Sequence, residues 1–270
     1  MALKLNLHTQ PDVPLEADCI SPDKMQSLSK HEIEQLIIFH GNRQVPLKDF
    51  FECSGEFDGE INIDGDLSRI KHIGAAMSFG KITISGSVGI HTGAAMTGGE
   101  IIVEGDASDW LGPEMYGGKI TVKGNAGHMV GSGYRGSTIG MQGGEIIVHG
   151  NVKNETGHVM RRGLIVVGGN SGDFTGVNMV AGTIIVLGEM GIRTGAGMKR
   201  GSIVCQTKSE LLPTFTHSCD YQPLFLQHYF KYLKSIGLAI NDSLFNGSFE
   251  RWCGDSVELN RGEILLYAGK

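Results

Sequence analysis

The residues able to do chemistry are few, and their spacing keeps them apart. Ten histidines, among them His72, His91, His128, His149 and His158, form no H-x-H or H-x-x-x-H pair, the arrangement that would offer two imidazoles to one metal. Five cysteines (Cys19, Cys53, Cys205, Cys219, Cys253) lie too far apart for a C-x-x-C clip, and their odd number argues against a disulfide framework. Gly131-Ser-Gly133-Tyr-Arg-Gly136 matches G-x-G-x-x-G, but a dinucleotide site needs a helix after the turn and an extended segment follows here. It reads as a protruding loop with Tyr134 and Arg135 as contact residues. Asp106 and Asp109 share one turn without a second carboxylate converging on them. Arg161-Arg162 and Lys199-Arg200 are basic pairs at equivalent places, suited to an anion or to a partner's carboxylate. No catalytic, cofactor-binding or metal-binding set can be assigned.

The elements that carry these residues repeat. Glycines Gly59, Gly80, Gly99, Gly118, Gly144, Gly163, Gly182 and Gly201 each open a Gly-x-apolar-x-apolar segment, at spacings of 21, 19, 19, 26, 19, 19 and 19 residues. The second and fourth residues after the glycine are almost all β-branched, from Ile61 and Ile63 to Ile203 and Cys205, which is the period-2 signature of a strand with one buried face. A methionine stands three residues before the next opening glycine every time: Met77, Met96, Met115, Met141, Met160, Met179 and Met198. Such a column could suggest soft-metal ligation, but stacked, unbranched core filler is the stronger reading.

Nineteen residues are too few for a βαβ crossover, which needs about 30. Leucine-rich repeats would require a leucine and asparagine ladder that the pattern lacks. A coil making one turn per repeat fits. The chain is therefore expected to be all-β, a single-stranded right-handed parallel β-helix with about eight 19-residue rungs over residues 56–206, forming a rod of roughly 34 Å. The first position after each opening glycine alternates in sign (Glu60, Lys81, Glu100, Lys119, Glu145), so stacked neighbours would attract.

Residues 1–55 are predicted to form a small α/β cap, with a strand at Leu3–Leu7 and a helix opened by the capping box Ser29-Lys-His-Glu32 and carrying Ile33, Leu36 and Ile37. Residues 207–270 form a helix-containing tail, with a helix over Tyr221–Ile236 and a closing strand at Glu263–Tyr267. The third position after each opening glycine turns apolar along the rod, through Ile147, Val166, Ile185 and Val204, joined by Leu164 and Leu187. So large a stripe should not face water: either the tail helix covers it or a partner does, and a terminal amphipathic helix in need of a docking surface favours the first.

The composition agrees with this economy. The 270 residues include 41 glycines, about 15% against a typical ~7%, while 40% hydrophobic residues exclude wholesale disorder. A net charge of −6 argues against a nucleic-acid partner. No apolar run reaches the ~18 residues of a membrane span and no signal-peptide core opens the chain, so a cytoplasmic protein is expected.

The pattern resembles the family of formylmethanofuran dehydrogenase C subunits. The carrying residues are His40-Gly-Asn42 with Leu47-Lys-Asp-Phe-Phe51, the segment Gly143-Gly-Glu-Ile-Ile-Val-His-Gly-Asn151, and the 131–136 insertion. The glycine repeat by itself is also similar to the C-terminal β-helix domain of glutamate synthase. The resemblance implies a structural, non-catalytic member of a multi-subunit complex. The tail, with Phe249-Glu-Arg-Trp-Cys-Gly-Asp255 and Arg261-Gly-Glu-Ile-Leu-Leu266, looks more like the bacterial formyltransferase/hydrolase form than the archaeal tungsten or molybdenum dehydrogenase. In the bacterial form, formyl passes from tetrahydromethanopterin through a methanofuran-type carrier to formate. The implied partners are an amidohydrolase-like component (A) holding a metal such as zinc, a second component (B) and a formyltransferase (D), with no cofactor in this chain. The glycines Gly80, Gly99, Gly118, Gly144, Gly163, Gly182 and Gly201 would be structural, and Tyr134, Arg135, Arg161 and Arg162 would meet the partners.

Overall fold

A computed structural model describes residues 2–207 and 209–269. Alternating leucines make β1 (Leu3–Leu7), followed by a short β2 (Leu15–Glu16), α1 (Pro22–Met25) and α2 (Lys30–Glu34). The capping box is present: Glu32 N–H donates to the Ser29 hydroxyl and Ser29 N–H to the Glu32 carboxylate. The helix is shorter than predicted. Ile37 opens β3 (Ile37–His40), which pairs antiparallel with β4 (Arg43–Pro46), and β5 (Phe51–Ser54) returns alongside β1.

Each Gly-x-apolar-x-apolar segment is a strand. These are β6 (Glu60–Asp64), then β8 (Lys81–Ile84), β9 (Glu100–Val103), β10 (Lys119–Val122), β11 (Glu145–Val148), β12 (Leu164–Val167), β13 (Thr183–Val186) and β14 (Arg200–Cys205), with the short β7 (Ile70–Lys71) after β6. The long sheet has thirteen strands and is mostly parallel, consistent with a β-helix-like coil. Register is in step throughout: Ile82 faces Ile101, Ile101 faces Ile120, and the column continues through Ile146, Ile165, Ile184 and Ile203, all fully buried. A second parallel contact per turn links Leu67, Val88, Ala107, Ala126, Val152, Ser171 and Met190.

The sheet extends beyond the glycine repeat at both ends. Leu3 and Leu5 pair with Ile61 and Ile63, so β1 adds a parallel strand to the stack. After β14 the chain makes an excursion through β15 (Thr216–Tyr221), α3 (Leu226–Ser235) and β16 (Ser248–Gly254), then returns as β17 (Arg261–Gly269). β17 lies parallel to β14 with Gly201 opposite Gly262 and Ile203 opposite Ile264, one more turn of the same pattern.

The tail helix begins five residues later than its apolar spacing suggests. Tyr221 ends a strand, and Pro223 stands just ahead of the helix, where a residue without an N–H is tolerated. Leu226, Phe230 and Leu233 are buried against Ile147, Leu164, Val166, Ile185 and Val204, so the apolar stripe is covered by the chain itself. Along the charged column Lys81 and Glu100 approach to 3.9 Å, while Glu145 instead accepts the Tyr232 hydroxyl of α3 and Lys119 lies 5.6 Å from the Tyr232 ring centre.

Candidate interaction surfaces

One corner of each turn bends through left-handed dihedrals, and this decides which side chains project there. The corner glycines Gly93 (φ +69°), Gly112 (φ +59°) and Gly131 (φ +65°) are each preceded, two residues earlier, by a non-glycine residue of the same hand: His91 (φ 64°), Trp110 (φ 51°) and Met129 (φ 61°). Gly131, the first glycine of the G-x-G-x-x-G string, is therefore an ordinary corner, where a Cβ would lie 2.6 Å from Ile165 Cδ1.

Stacked corners bring side chains together that are 19 residues apart. His72 and His91 lie ring on ring, with centroids 4.8 Å apart and planes at 13°. Trp110 follows at 5.5 Å from His91, and Tyr134 of the long repeat bends back to 5.3 Å from His91. Burial, then the neighbouring His72, pushes His91 down to about 4, and burial also lowers His72, so both rings favour the uncharged form that stacks as an aromatic pair. Burial and then the Glu114 carboxylate push the Tyr134 phenol up to about 12, and Tyr134 N–H donates to that carboxylate at 3.2 Å. Arg135 stands exposed beside it. Sequence reading singled out Tyr134 and missed its neighbours. The signal was available in the 19-residue offset from His72 to His91 to Trp110 rather than in any short motif.

Asp106 and Asp109 have a structural duty. Asn125 N–H donates to Asp106 Oδ1 at 2.7 Å, Asn151 N–H to Asn125 Oδ1 at 2.9 Å and Asn170 N–H to Asn151 Oδ1 at 2.8 Å. His128 N–H donates to Asp109 Oδ1 at 2.7 Å, beginning a parallel series through Asn154 and Asp173. An Asx ladder does run up this coil, meeting backbone donors that the corner would otherwise leave unpaired.

The methionines from Met77 to Met198 are all fully buried. Each methyl reaches the opening glycine one turn further on: a Cβ at Gly99 would lie 2.5 Å from Met77 Cε, and one at Gly118 2.8 Å from Met96 Cε. Among the described residues no three His, Cys, Asp or Glu side chains come close enough to hold a metal. No helix among them is long and apolar enough to cross a membrane.

Arg161 and Arg162 lie apart from the aromatic corner. With Val180, Ala181, Lys199, Arg200 and Leu259 they line a groove of about 360 Å³. Its wall is the turn after β16, held by Asp255. Burial of this carboxyl opposes its ionisation, but N–H donors from Gly197 (2.9 Å) and Val257 (3.0 Å) keep it below the usual carboxylate range.

Comparison with known proteins matches residues 68–228 to the family model described as the GXGXG motif. The C subunit of the molybdenum-containing formylmethanofuran dehydrogenase 1 of Methanothermobacter marburgensis is 48% identical over 80 residues, 29% of this chain and 20% of that protein. The C subunit of the tungsten-containing formylmethanofuran dehydrogenase 2 of Methanothermobacter wolfeii is 46% identical over 87 residues, 30% of this chain and 32% of that protein. The matched segment thus spans a fifth to a third of these curated relatives. A chain in the crystal structure of the formyltransferase/hydrolase complex (FhcABCD) from Methylorubrum extorquens, solved with methylofuran, superposes with a TM-score of 0.91 at 32% identity, over 98% of this chain and 99% of that one.

Proposed function

The chain belongs to the GXGXG-motif family, and from that premise we propose that it is the structural C subunit of a formyltransferase/hydrolase complex. The end-to-end correspondence with a chain of the Methylorubrum extorquens complex carries this reading, because it includes the N-terminal strands and the tail and not the glycine repeat alone. In this reading the coil is right-handed, with about eight 19-residue rungs over 56–206 between the flanks 1–55 and 207–270. The chain works in the cytoplasm. It holds catalytic partners in position while formyl passes from tetrahydromethanopterin through a methanofuran-type carrier to formate. The metal sits in the amidohydrolase-like component (A), beside the second component (B) and the formyltransferase (D). Tyr134 and Arg135, at the aromatic corner, and Arg161 and Arg162, at the groove, are the contacts this reading assigns to partners.

A second reading has a specific observation behind it: the molybdenum and tungsten dehydrogenase subunits are the more identical relatives, at 46–48% over 80 to 87 residues. Metal analysis of the purified complex separates the two, since a dehydrogenase would carry molybdenum or tungsten. The chain purified alone is expected to show no formyl transfer or hydrolysis, and the chain produced in its native host is expected to bring catalytic subunits with it. Turnover by the isolated chain would overturn the structural role, and absence of co-purifying subunits would overturn the assembly role.

A further inference from the structure

A protein of net charge −6 has gathered cations, all but one without an ion-pair partner among the described residues, along the edge of the coil formed by the N-terminal ends of successive strands. The repeat register is the cause. The residue immediately before the opening glycine is Arg162, then Ala181, then Arg200, and, once the chain returns as β17, Arg261. Arg200 and Arg261 are direct register partners. The preceding position adds Arg161 and Lys199, with Val180 between them. Like charges set opposite one another on neighbouring strands destabilise a sheet, and on the other side of each opening glycine this chain avoids the problem by alternating Lys81 with Glu100. Here the repulsion is left standing. Among the described residues the one ion pair in the cluster is Lys199 with Glu258, at 3.9 Å.

We propose that this edge is a docking site for an acidic polypeptide segment of a partner protein in the complex, its carboxylates pairing with Arg162, Arg200 and Arg261. The inference rests on the assembly reading above. Three steps of ~4.8 Å separate Arg162 from Arg261, so the cations span about 14 Å, too long for one carboxylate or phosphate and suited to successive acidic side chains on one strand or loop. Guanidinium groups bind carboxylates through paired, parallel N–H bonds, and three of them spread over this length, with one step left empty at Ala181, select several carboxylates on one segment over an isolated one. The floor between the cations is aliphatic, from Val180, Ala181 and the 50% exposed Leu259, which suits the methylene stems of glutamate. A nucleic acid would meet the same cations but would be repelled by the net charge of the rest of the chain.

The test uses the full chain produced with its partners. Arg162→Glu combined with Arg200→Glu reverses the groove, and Lys123→Glu combined with Lys153→Glu makes the same charge change at exposed positions outside it. If the wild-type chain captures no partner, the assembly reading itself fails. If it does, the groove variant is expected to melt cooperatively like the wild type and to bind its partner at least roughly tenfold more weakly, while the control stays within about twofold. Equal capture by both variants, or an equal loss in both, overturns the proposal. A photo-crosslinker at Leu259 in the otherwise wild-type chain gives a readout that does not depend on a charge variant folding. Attachment to an Asp- or Glu-rich segment of a partner supports the proposal, and attachment to a neutral segment, a nucleic acid or a small ligand overturns it.

Discussion

At the scale of single residues, two kinds of glycine look identical in sequence and differ in what surrounds them. Gly144 has φ +84°, and a Cβ there would lie 2.6 Å from the Gly118 carbonyl oxygen of the turn below. Gly136, in the long repeat, has φ +87° with nothing within 4 Å. Both substitutions force alanine into the left-handed region, but at Gly144 a backbone atom must also move. Gly144→Ala is therefore expected to cost roughly 2–5 kcal/mol and Gly136→Ala about 1–2 kcal/mol, read from urea unfolding midpoints. Equal losses would mean that the close stacking of turns is not what the opening glycine serves. The glycine positions were legible because the residue type announces the geometry. The left-handed conformations of His72, His91 and Trp110 were not, since nothing in a histidine or tryptophan signals a positive φ. The aromatic corner they form had to be seen in three dimensions.

At the scale of elements, the strands of the repeat were readable one by one, while the helix that covers them was readable in kind and misplaced in extent. A ten-residue helix is marginal alone, so α3 owes its existence to what it buries. The outward apolar residues Ile147, Val166, Ile185 and Val204 made a cover necessary, and the Leu226, Phe230 and Leu233 face of α3 supplies it. The start was misplaced because the aromatic spacing continues back through Tyr221, a residue that instead pairs with Phe249 in the antiparallel β15–β16 ribbon. Phe230 is 1% exposed at the centre of this contact, stacked 6.5 Å from Phe249. Phe230→Ala should lower stability by roughly 3–5 kcal/mol in denaturant titration, against less than about 0.5 kcal/mol for its exposed neighbour in Lys231→Ala. A Phe230→Ala loss no larger than that of the surface control would show that the helix rests on the stripe without stabilising it.

At the scale of the molecule, each turn meets mainly the turn below and the turn above, so stability should be close to a sum over turns and interfaces. The same property explains what the repeat concealed. Gly262 stands 61 residues after Gly201, and the excursion between them carries its own antiparallel strands and helix, so the last layer does not read as a repeat although its Gly-x-Ile-x-Leu pattern is intact. An architecture of this kind tolerates loss of a whole turn and not of part of one. Deleting residues 100–118 joins Gly99 to Lys119, keeps Met96 three residues ahead of the opening glycine, and sets Ile120 on Ile82 and Ala126 on Val88. It also places Lys119 against Lys81, a repulsion of about 0.2–1 kcal/mol that is small beside the core columns retained. Deleting residues 100–109 removes Ile101 and Val103 and leaves too little chain to close the turn. The 19-residue deletion is expected to keep a strand-rich circular dichroism spectrum and one cooperative unfolding transition, and the 10-residue deletion to lose both. If the shorter deletion were the better tolerated, the stacked turn would not be the unit from which this molecule is built.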